Sequence, residues 1–79
     1  MKEIDWREYI SSDPKVLFGK PVIKGTRVPV DLVLEKLGKG ETMEQLLRAY
    51  PRIDEPSIFA CLIFAAEAVK NEVVVAAAA

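Results

Sequence analysis

Glycine and proline divide the middle of this chain so closely that no long helix or strand can cross it. In the stretch GKPVIKGTRVP, from Gly19 to Pro29, one of these residues occurs at every fourth position or closer. The residues between them are rich in β-branched side chains, which favour strands. We therefore predict one or two short strands joined by tight turns over residues 15–29. Gly25 would supply a positive φ in the turn of residues 23–26.

Apolar patterns of helical period follow this stretch three times. The first begins after Pro29 and ends at the GKG of residues 38–40. The second begins with a capping box, in which Thr42 precedes Gln45 by three residues, and it stops at Pro51. Only the four residues PRID separate it from the third pattern, and so short a connection is typical of a helix-turn-helix arrangement.

The third helix, capped by Asp54 and running to about Lys70, is apolar on every side. Such a helix is covered on more than one face, and two short helices can cover only about half of its circumference. We predict that the remainder is an interface with a second copy or a partner; the alternative is that the N-terminal arm, with Trp6 and Tyr9, folds over it. The core stripe is predicted at Ile58, Leu62, Ala65 and Val69, and the interface at Phe59, Ile63 and Phe64, with Val22 and Ile23 of the strand segment.

The length of 79 residues allows one small domain, which is short enough to favour dimerisation. The predicted class is mainly α: a three-helix, helix-turn-helix bundle preceded by a short β strand–turn–strand arm. We divide the chain into an N-terminal arm (residues 1–14), the strand–turn–strand (15–29), the helical core (30–70) and a tail (71–79). For the end of the tail, residues 73–79, a longer helix, an added strand and a frayed end remain open.

The surroundings of the protein are indicated by three features. The longest apolar run, residues 58–66, has nine residues, whereas a membrane-spanning helix needs about 20. The start, MKEIDWREYI, carries acidic residues and no apolar segment of a signal peptide. The single cysteine, Cys61, can form no internal disulfide. We therefore expect a cytoplasmic protein without membrane association.

The stretch GKPVIKGT has the composition of a phosphate-binding loop but lacks the spacing of one. Such a loop places lysine directly after its second glycine, whereas Lys24 precedes Gly25. The chain has no histidine, so Cys61 has no histidine base and no zinc cluster can be assembled. Pairs of acidic residues stand at helix starts, where they complement the helix dipole. We therefore expect no enzyme, cofactor, metal or small-molecule substrate.

The net charge of −1 is unevenly distributed. Between Lys15 and Lys39 six basic residues face two acidic ones, and from Gly40 onward six acidic residues face three basic ones. A local basic stretch suits a polyanion such as DNA, and ordinary solvated surface is the alternative. The third helix is poorly suited to reading bases, because Asp54 and Glu55 at its start repel phosphate. The candidate DNA-binding residues are Lys20, Lys24, Thr26 and Arg27 in the strand–turn, Arg48 and Arg52 around the second turn, and Ser57.

The run ISSDPKVLFGKPVIKGTRVPVDLVLEKLGKGETMEQLLRAYPRID resembles the bacterial and archaeal family known as domain of unknown function 433. The motifs that carry the resemblance are IxxDP at residues 10–14, GKPVIKGTR at 19–27 and TMEQLLRAYP at 42–51. The resemblance covers about residues 10–69 and implies a homeodomain-like helix-turn-helix fold.

In function, the same resemblance implies a prokaryotic antitoxin of a type II toxin–antitoxin system. Such a protein is usually a homodimer that binds a PIN-like ribonuclease toxin and represses its own operon by binding operator DNA. The alternative is a dimeric protein-interaction module that does not bind DNA, in which the strand–turn only holds the dimer together. The tail, NEVVVAAAA, is shorter and less charged than a typical toxin-wrapping segment.

Overall fold

The structure is a computed structural model that describes residues 3–72. Three helices follow a two-stranded antiparallel sheet, so the predicted mainly α fold class is confirmed. The end of the tail, residues 73–79, lies outside the described residues. In chain order the elements are a 3₁₀ helix at Trp6–Glu8, strand β1 at Ile10–Ser11, a 3₁₀ helix at Leu17–Gly19, strand β2 at Val22–Ile23, and helices α1 at Val30–Gly38, α2 at Met43–Ala49 and α3 at Glu55–Asn71.

The sheet joins the N-terminal segment to the glycine- and proline-rich stretch. Strands β1 and β2 are antiparallel, with Ile10 opposite Ile23 and Ser11 opposite Val22. Ile10 and Ile23 are both buried and belong to the hydrophobic core. The partner of β2 therefore lies in the segment that the sequence analysis assigned to the N-terminal arm.

Strand β2 is also hydrogen-bonded on its other side. The backbone N–H of Ile23 donates to the carbonyl of Val28 at 3.0 Å, and the N–H of Val30 donates to that of Pro21 at 2.9 Å. These bonds bring the start of α1 back alongside β2. Because both sides of β2 are occupied within the chain, this strand is not a free edge for pairing with a second copy.

The predicted turn at residues 23–26 is confirmed. Gly25 has a φ of +76°, and the N–H of Thr26 donates to the carbonyl of Ile23 at 3.1 Å. The Thr26 hydroxyl also donates to Ile23, at 2.7 Å, and accepts the N–H of Val28 at 3.0 Å. The turn is thus fixed by backbone and side-chain bonds together, and it sets the direction in which the following residues leave the sheet.

The predicted helix boundaries are also confirmed where a capping signal marks them. At the start of α2 the Thr42 hydroxyl accepts the N–H of Gln45, and the Gln45 side chain accepts the N–H of Thr42. Helix α1 ends at Gly38, and Gly40, with φ +94°, reverses the chain. At the start of α3 the Asp54 carboxylate accepts the N–H of Ser57 at 3.0 Å.

Helix α3 contacts the first 3₁₀ helix, β1, α1 and α2, so the core forms around it. The predicted core stripe on this helix is correct at Ile58, which is fully buried, but wrong at Leu62 and Val69, which are 42% and 65% exposed. Because α3 is apolar all round, periodicity alone does not select the face that is buried.

Within residues 3–72, no helix combines the length and the apolarity needed to cross a membrane. The buried apolar residues are Ile10, Val22, Ile23, Val30, Val33, Leu46, Ile53, Ile58, Ala60 and Cys61.

Candidate functional site

Two arginines that are distant in sequence lie side by side on the surface. Arg27 follows the Gly25 turn, and Arg52 lies in the loop between α2 and α3. Together with Thr26 they line two adjoining hollows of about 430 and 370 Å³. We call this surface the arginine face. The backbone bond from Ile23 to Val28 folds the β2–α1 connection back along β2, and the two shared hollows place this connection beside the α2–α3 loop.

The arginine face carries an excess of positive charge. Arg27 and Arg52 are both exposed, and among residues 3–72 no carboxylate lies within ion-pair distance of either guanidinium. Asp13 lines the larger hollow, and its carboxylate accepts the backbone N–H of Lys15 at 2.9 Å. Two guanidinium groups therefore face one carboxylate, and a guanidinium suits bidentate binding of a phosphate or a carboxylate.

The remaining predicted basic residues differ in their availability. Lys24 is exposed at the tip of the turn and makes no ion pair with the rest of residues 3–72. The ammonium of Lys20 lies 3.1 Å from Asp31, and the guanidinium of Arg48 lies 2.9 Å from Glu44. Both pairs are exposed, so each contributes at most about 1 kcal/mol and can be exchanged for a ligand.

Two predicted DNA-binding residues serve the fold instead. Ser57 is only 5% exposed, and its hydroxyl donates to the Asp54 carboxylate at 2.5 Å. A buried side chain that is bonded to the N-cap Asp54 cannot reach a base, so the expectation for Ser57 is corrected. The Thr26 hydroxyl uses its proton on Ile23 and braces the turn that carries Arg27.

The N-terminal segment folds over part of α3, which was the alternative to an interface. The rings of Trp6 and Phe64 meet edge to face with centroids 4.9 Å apart. The indole N–H of Trp6 donates to Glu67, and the Arg7 guanidinium lies 4.7 Å from the centre of the same ring. Phe64 is therefore half-buried beneath the segment, and Ile63 lies beside Trp6 in the same region.

The other predicted interface residues divide into buried and exposed. Val22 and Ile23 are 4% and 3% exposed. They are core residues and offer no surface to a partner, because β2 is covered by its neighbours. Phe59, at 36% exposure, remains accessible. Leu62 and Val69, with Ala66 between them, form an exposed apolar stripe on α3 at helical spacing.

Phe59 belongs to a groove that the sequence did not indicate. This groove, of about 440 Å³, lies between the N-terminal segment and the start of α3. Its apolar walls and its charged rim come from segments about 50 residues apart in the chain, so no local pattern predicts it. We call it the acidic groove: Ile4, Tyr9, Pro56 and Phe59 line it, and Glu3, Asp5, Glu8 and Glu55 carry its carboxylates.

The sequence also did not indicate the conformation of the second 3₁₀ helix. Leu17 and Phe18 have φ values of 48° and 58°, in the left-handed region that side chains with a Cβ rarely adopt. The Phe18 side chain is fully exposed, at 102% of its reference area. A strained backbone that presents an aromatic ring to solvent is a feature found at binding sites.

Cys61 is a core residue and not part of a reactive site. Its side chain is completely buried on α3, and this burial raises the pKa of the thiol to about 11. A thiol that is protonated at neutral pH is a poor nucleophile and a poor metal ligand. In the part of the chain that the structure describes, no group of three cysteine, aspartate or glutamate residues is arranged to hold a metal ion.

Comparison with known proteins identifies the family. The family model "Protein of unknown function (DUF433)" matches residues 10–65. The "Uncharacterized protein y4eO" of Sinorhizobium fredii (strain NBRC 101917 / NGR234) is 41% identical over 59 residues, which are 75% of this chain and 27% of that protein. A crystal structure at 2.00 Å resolution of a DUF433 member protein from Anabaena variabilis ATCC 29413 has the same fold, with a TM-score of 0.73 at 24% identity, and the similarity covers 77% of this chain and 60% of that one. The chain spans less than two thirds of the length of either relative. Because the family model matches more than half of it, the chain belongs to the DUF433 family.

Proposed function

We propose that the chain is an antitoxin-like component of a type II toxin–antitoxin system. In this proposal it is a homodimer that binds a PIN-like ribonuclease toxin and contacts operator DNA as an autorepressor. The observation that carries the DNA part is the arginine face, where Arg27 and Arg52 come together from separate loops without a neutralising ion pair among residues 3–72.

The arginine face suits the phosphate backbone better than it suits base edges. Guanidinium groups bind phosphate oxygens in bidentate fashion, and such contacts fix the position of a protein on a duplex. Lys24, on the tip of the same turn, extends the positive surface. Helix α3 supports base reading poorly, because Glu55 is acidic and Ser57 is buried. We therefore propose that the turn, and not α3, faces the DNA.

For the toxin, the available apolar surface is the stripe of Leu62, Ala66 and Val69 on α3. The N-terminal segment covers the neighbouring face of the helix through Trp6 and Phe64 but leaves this stripe exposed. An exposed apolar stripe at helical spacing is the surface with which a helix docks into an apolar groove of a partner. The proposal assigns this stripe to the toxin.

The second candidate function is a dimeric protein-interaction module that does not bind DNA. Two observations favour it: the overall charge of −1 and the acidic start of α3. In that case the arginine face would bind carboxylates of a partner protein, which are planar acceptors as suitable as phosphate. Strand β2 itself would not hold the dimer together, since it is hydrogen-bonded on both sides within one chain.

The two functions are separated by binding to DNA from upstream of the chain's own gene, measured by fluorescence anisotropy. The wild type is compared with the double variant Arg27→Ala/Arg52→Ala and with Lys70→Ala. Lys70 is an exposed cation near the far end of α3, roughly 22 Å along the helix from Glu55. Loss of binding in the double variant alone supports the arginine face.

The same titration is repeated with the product of the neighbouring gene. Tighter DNA binding by the complex supports an autorepressing antitoxin, and weaker capture of that product by Leu62→Ala/Val69→Ala supports the toxin stripe. A wild-type chain that binds the gene product but not the duplex overturns the DNA part and leaves the interaction module. A chain that binds neither overturns both.

A further inference from the structure

The acidic groove and the Phe18 turn are complementary in charge, and both present aromatic side chains. The groove has apolar walls that include Tyr9 and Phe59. Of its four rim carboxylates, only Asp5 has an ion-pair partner among the described residues, Arg7 at 3.5 Å. Glu3, Glu8 and Glu55 are exposed. A groove of this kind suits an aromatic side chain flanked by cations.

Phe18 is such a side chain. It is fully exposed, so it does not lie in the groove of its own chain. Lys15 and Lys20 flank it in the sequence KVLFGK, and both are exposed. Lys15 makes no ion pair with the rest of residues 3–72, and Lys20 makes only the exposed pair with Asp31.

The turn that carries Phe18 is held by hydrogen bonds on both sides. The N–H of Val16 donates to Asp13 at 2.8 Å, and the N–H of Gly19 donates to Val16 at 3.0 Å. The N–H of Lys20 donates to Leu17 at 3.2 Å. The backbone that carries the ring is therefore ordered before any partner arrives, which lowers the entropy lost on binding.

We propose that Phe18 of one copy inserts into the acidic groove of a second copy, with Lys15 and Lys20 beside the rim carboxylates. The contact rests on the proposed association of two copies and involves neither DNA nor toxin. Each chain carries one Phe18 turn and one acidic groove, and in the proposed two-fold symmetric dimer the two contacts are reciprocal. The aromatic ring is the anchor, and the surrounding charges steer and orient the encounter.

The anchor is tested by sedimentation equilibrium of the purified chain without DNA or toxin. Phe18→Asn removes the ring, and asparagine tolerates the left-handed backbone, so the fold is preserved. We expect this variant to weaken self-association by about 30-fold, as the loss of an interface anchor does. Lys70→Ala, which truncates an exposed residue near the far end of α3, leaves association unchanged. A monomeric wild type, or equal effects of both substitutions, overturns the proposal.

The charges are tested by a pair of reversals. Lys15→Glu places an acid beside the rim, and Glu8→Lys places a base beside the lysines, so each variant alone repels itself at both contacts. Mixing the two chains restores opposite charges at both contacts, and the mixture should associate nearly as tightly as the wild type. A mixture no tighter than the separate variants overturns the contact. The proposal is also overturned if the wild type is a monomer and Phe18→Asn abolishes toxin binding. In that case the groove or the turn would bind the toxin and not a second copy.

Discussion

The salt dependence of DNA binding is the most direct quantitative test of the arginine face. When a cationic side chain neutralises a phosphate, a condensed counterion is released, and affinity falls as salt rises. Each phosphate contact contributes about −0.9 to the slope of log K against log salt concentration. If Arg27 and Arg52 each contact one phosphate, Arg27→Ala/Arg52→Ala makes the slope less negative by about 1.8 for each protomer that contacts the duplex.

The slope converts into affinities that an ordinary titration resolves. For a fourfold increase in salt, each contact accounts for a loss of about 3.5-fold, and two contacts for about 12-fold. The double variant should therefore bind more weakly than the wild type at low salt, and the two should converge as salt rises. Neither substitution should disturb the fold, because both side chains are exposed and without ion pairs among residues 3–72. Their effect on the free energy of unfolding should be within about 0.5 kcal/mol.

The assay is a series of anisotropy titrations at four or more salt concentrations on one duplex. Lys70→Ala removes one positive charge near the other end of α3 and should reproduce the wild-type slope. Thermal unfolding of each variant confirms that the fold is retained. An unchanged slope in the double variant would refute the reasoning, even if its affinity fell, because lost phosphate contacts must release fewer counterions.

Three further predictions concern the fold. Leu46→Ala should lower the free energy of unfolding by about 2–5 kcal/mol in urea denaturation, since Leu46 is fully buried; a change as small as that of exposed Leu62→Ala would contradict the core. Thr42→Ala should lower it by about 1 kcal/mol, because it removes the cap of α2; helicity and urea midpoint measure this. Burial raises the pKa of the Cys61 thiol from 9.0 to about 11. Between these two pKa values the thiol of the unfolded chain is ionised while that of the folded chain stays protonated. As pH rises through this range, the free energy of unfolding therefore falls by up to about 3 kcal/mol relative to that of Cys61→Ala. A difference between the two proteins that stays constant with pH would contradict the burial of Cys61.

The boundaries of the elements could be predicted wherever a single residue determines the local backbone. Gly25 does so through its positive φ, Thr42 and Gln45 through reciprocal bonds, and Asp54 through its bond to Ser57. These hydrogen bonds join residues three positions apart, so both partners can be recognised within one short stretch of sequence. The predicted turn and helix starts were correct for this reason.

The orientation of α3 could not be predicted, because apolar residues are not confined to one side of this helix. Apolar side chains occur at nearly every position from Ile58 to Val69, so any stripe could face the core. The structure selects the face with Ile58 and Cys61 because β1, α1 and α2 all contact this helix, and these contacts are long-range. The N-terminal segment then covers a second face through Trp6.

The arginine face and the acidic groove could not be predicted either, because both depend on contacts between segments that are distant in the sequence. Arg27 and Arg52 were both candidates by residue type, but their proximity follows from the way β2 is held between β1 and the start of α1. The Phe18 turn gave no periodic signal at all, since left-handed residues other than glycine leave no compositional mark. The sequence pattern therefore identified the candidate residues, and tertiary contacts determined which of them lie on the same surface.

The surfaces proposed for DNA, for a toxin and for a second copy are distributed separately around α3. Its buried face completes the core, its second face lies under Trp6, and the stripe of Leu62, Ala66 and Val69 stays exposed. The acidic groove lies at the start of the helix, whereas the arginine face lies on the loops that precede it. The acidic groove and the arginine face carry opposite charges, so they attract different ligands. The groove repels a polyanion, and the arginines repel a cationic partner. The proposed DNA contact through Arg27 and Arg52 and the proposed contact between copies through Phe18 therefore share no residue, and substitutions at Arg27 and at Phe18 should affect the two independently.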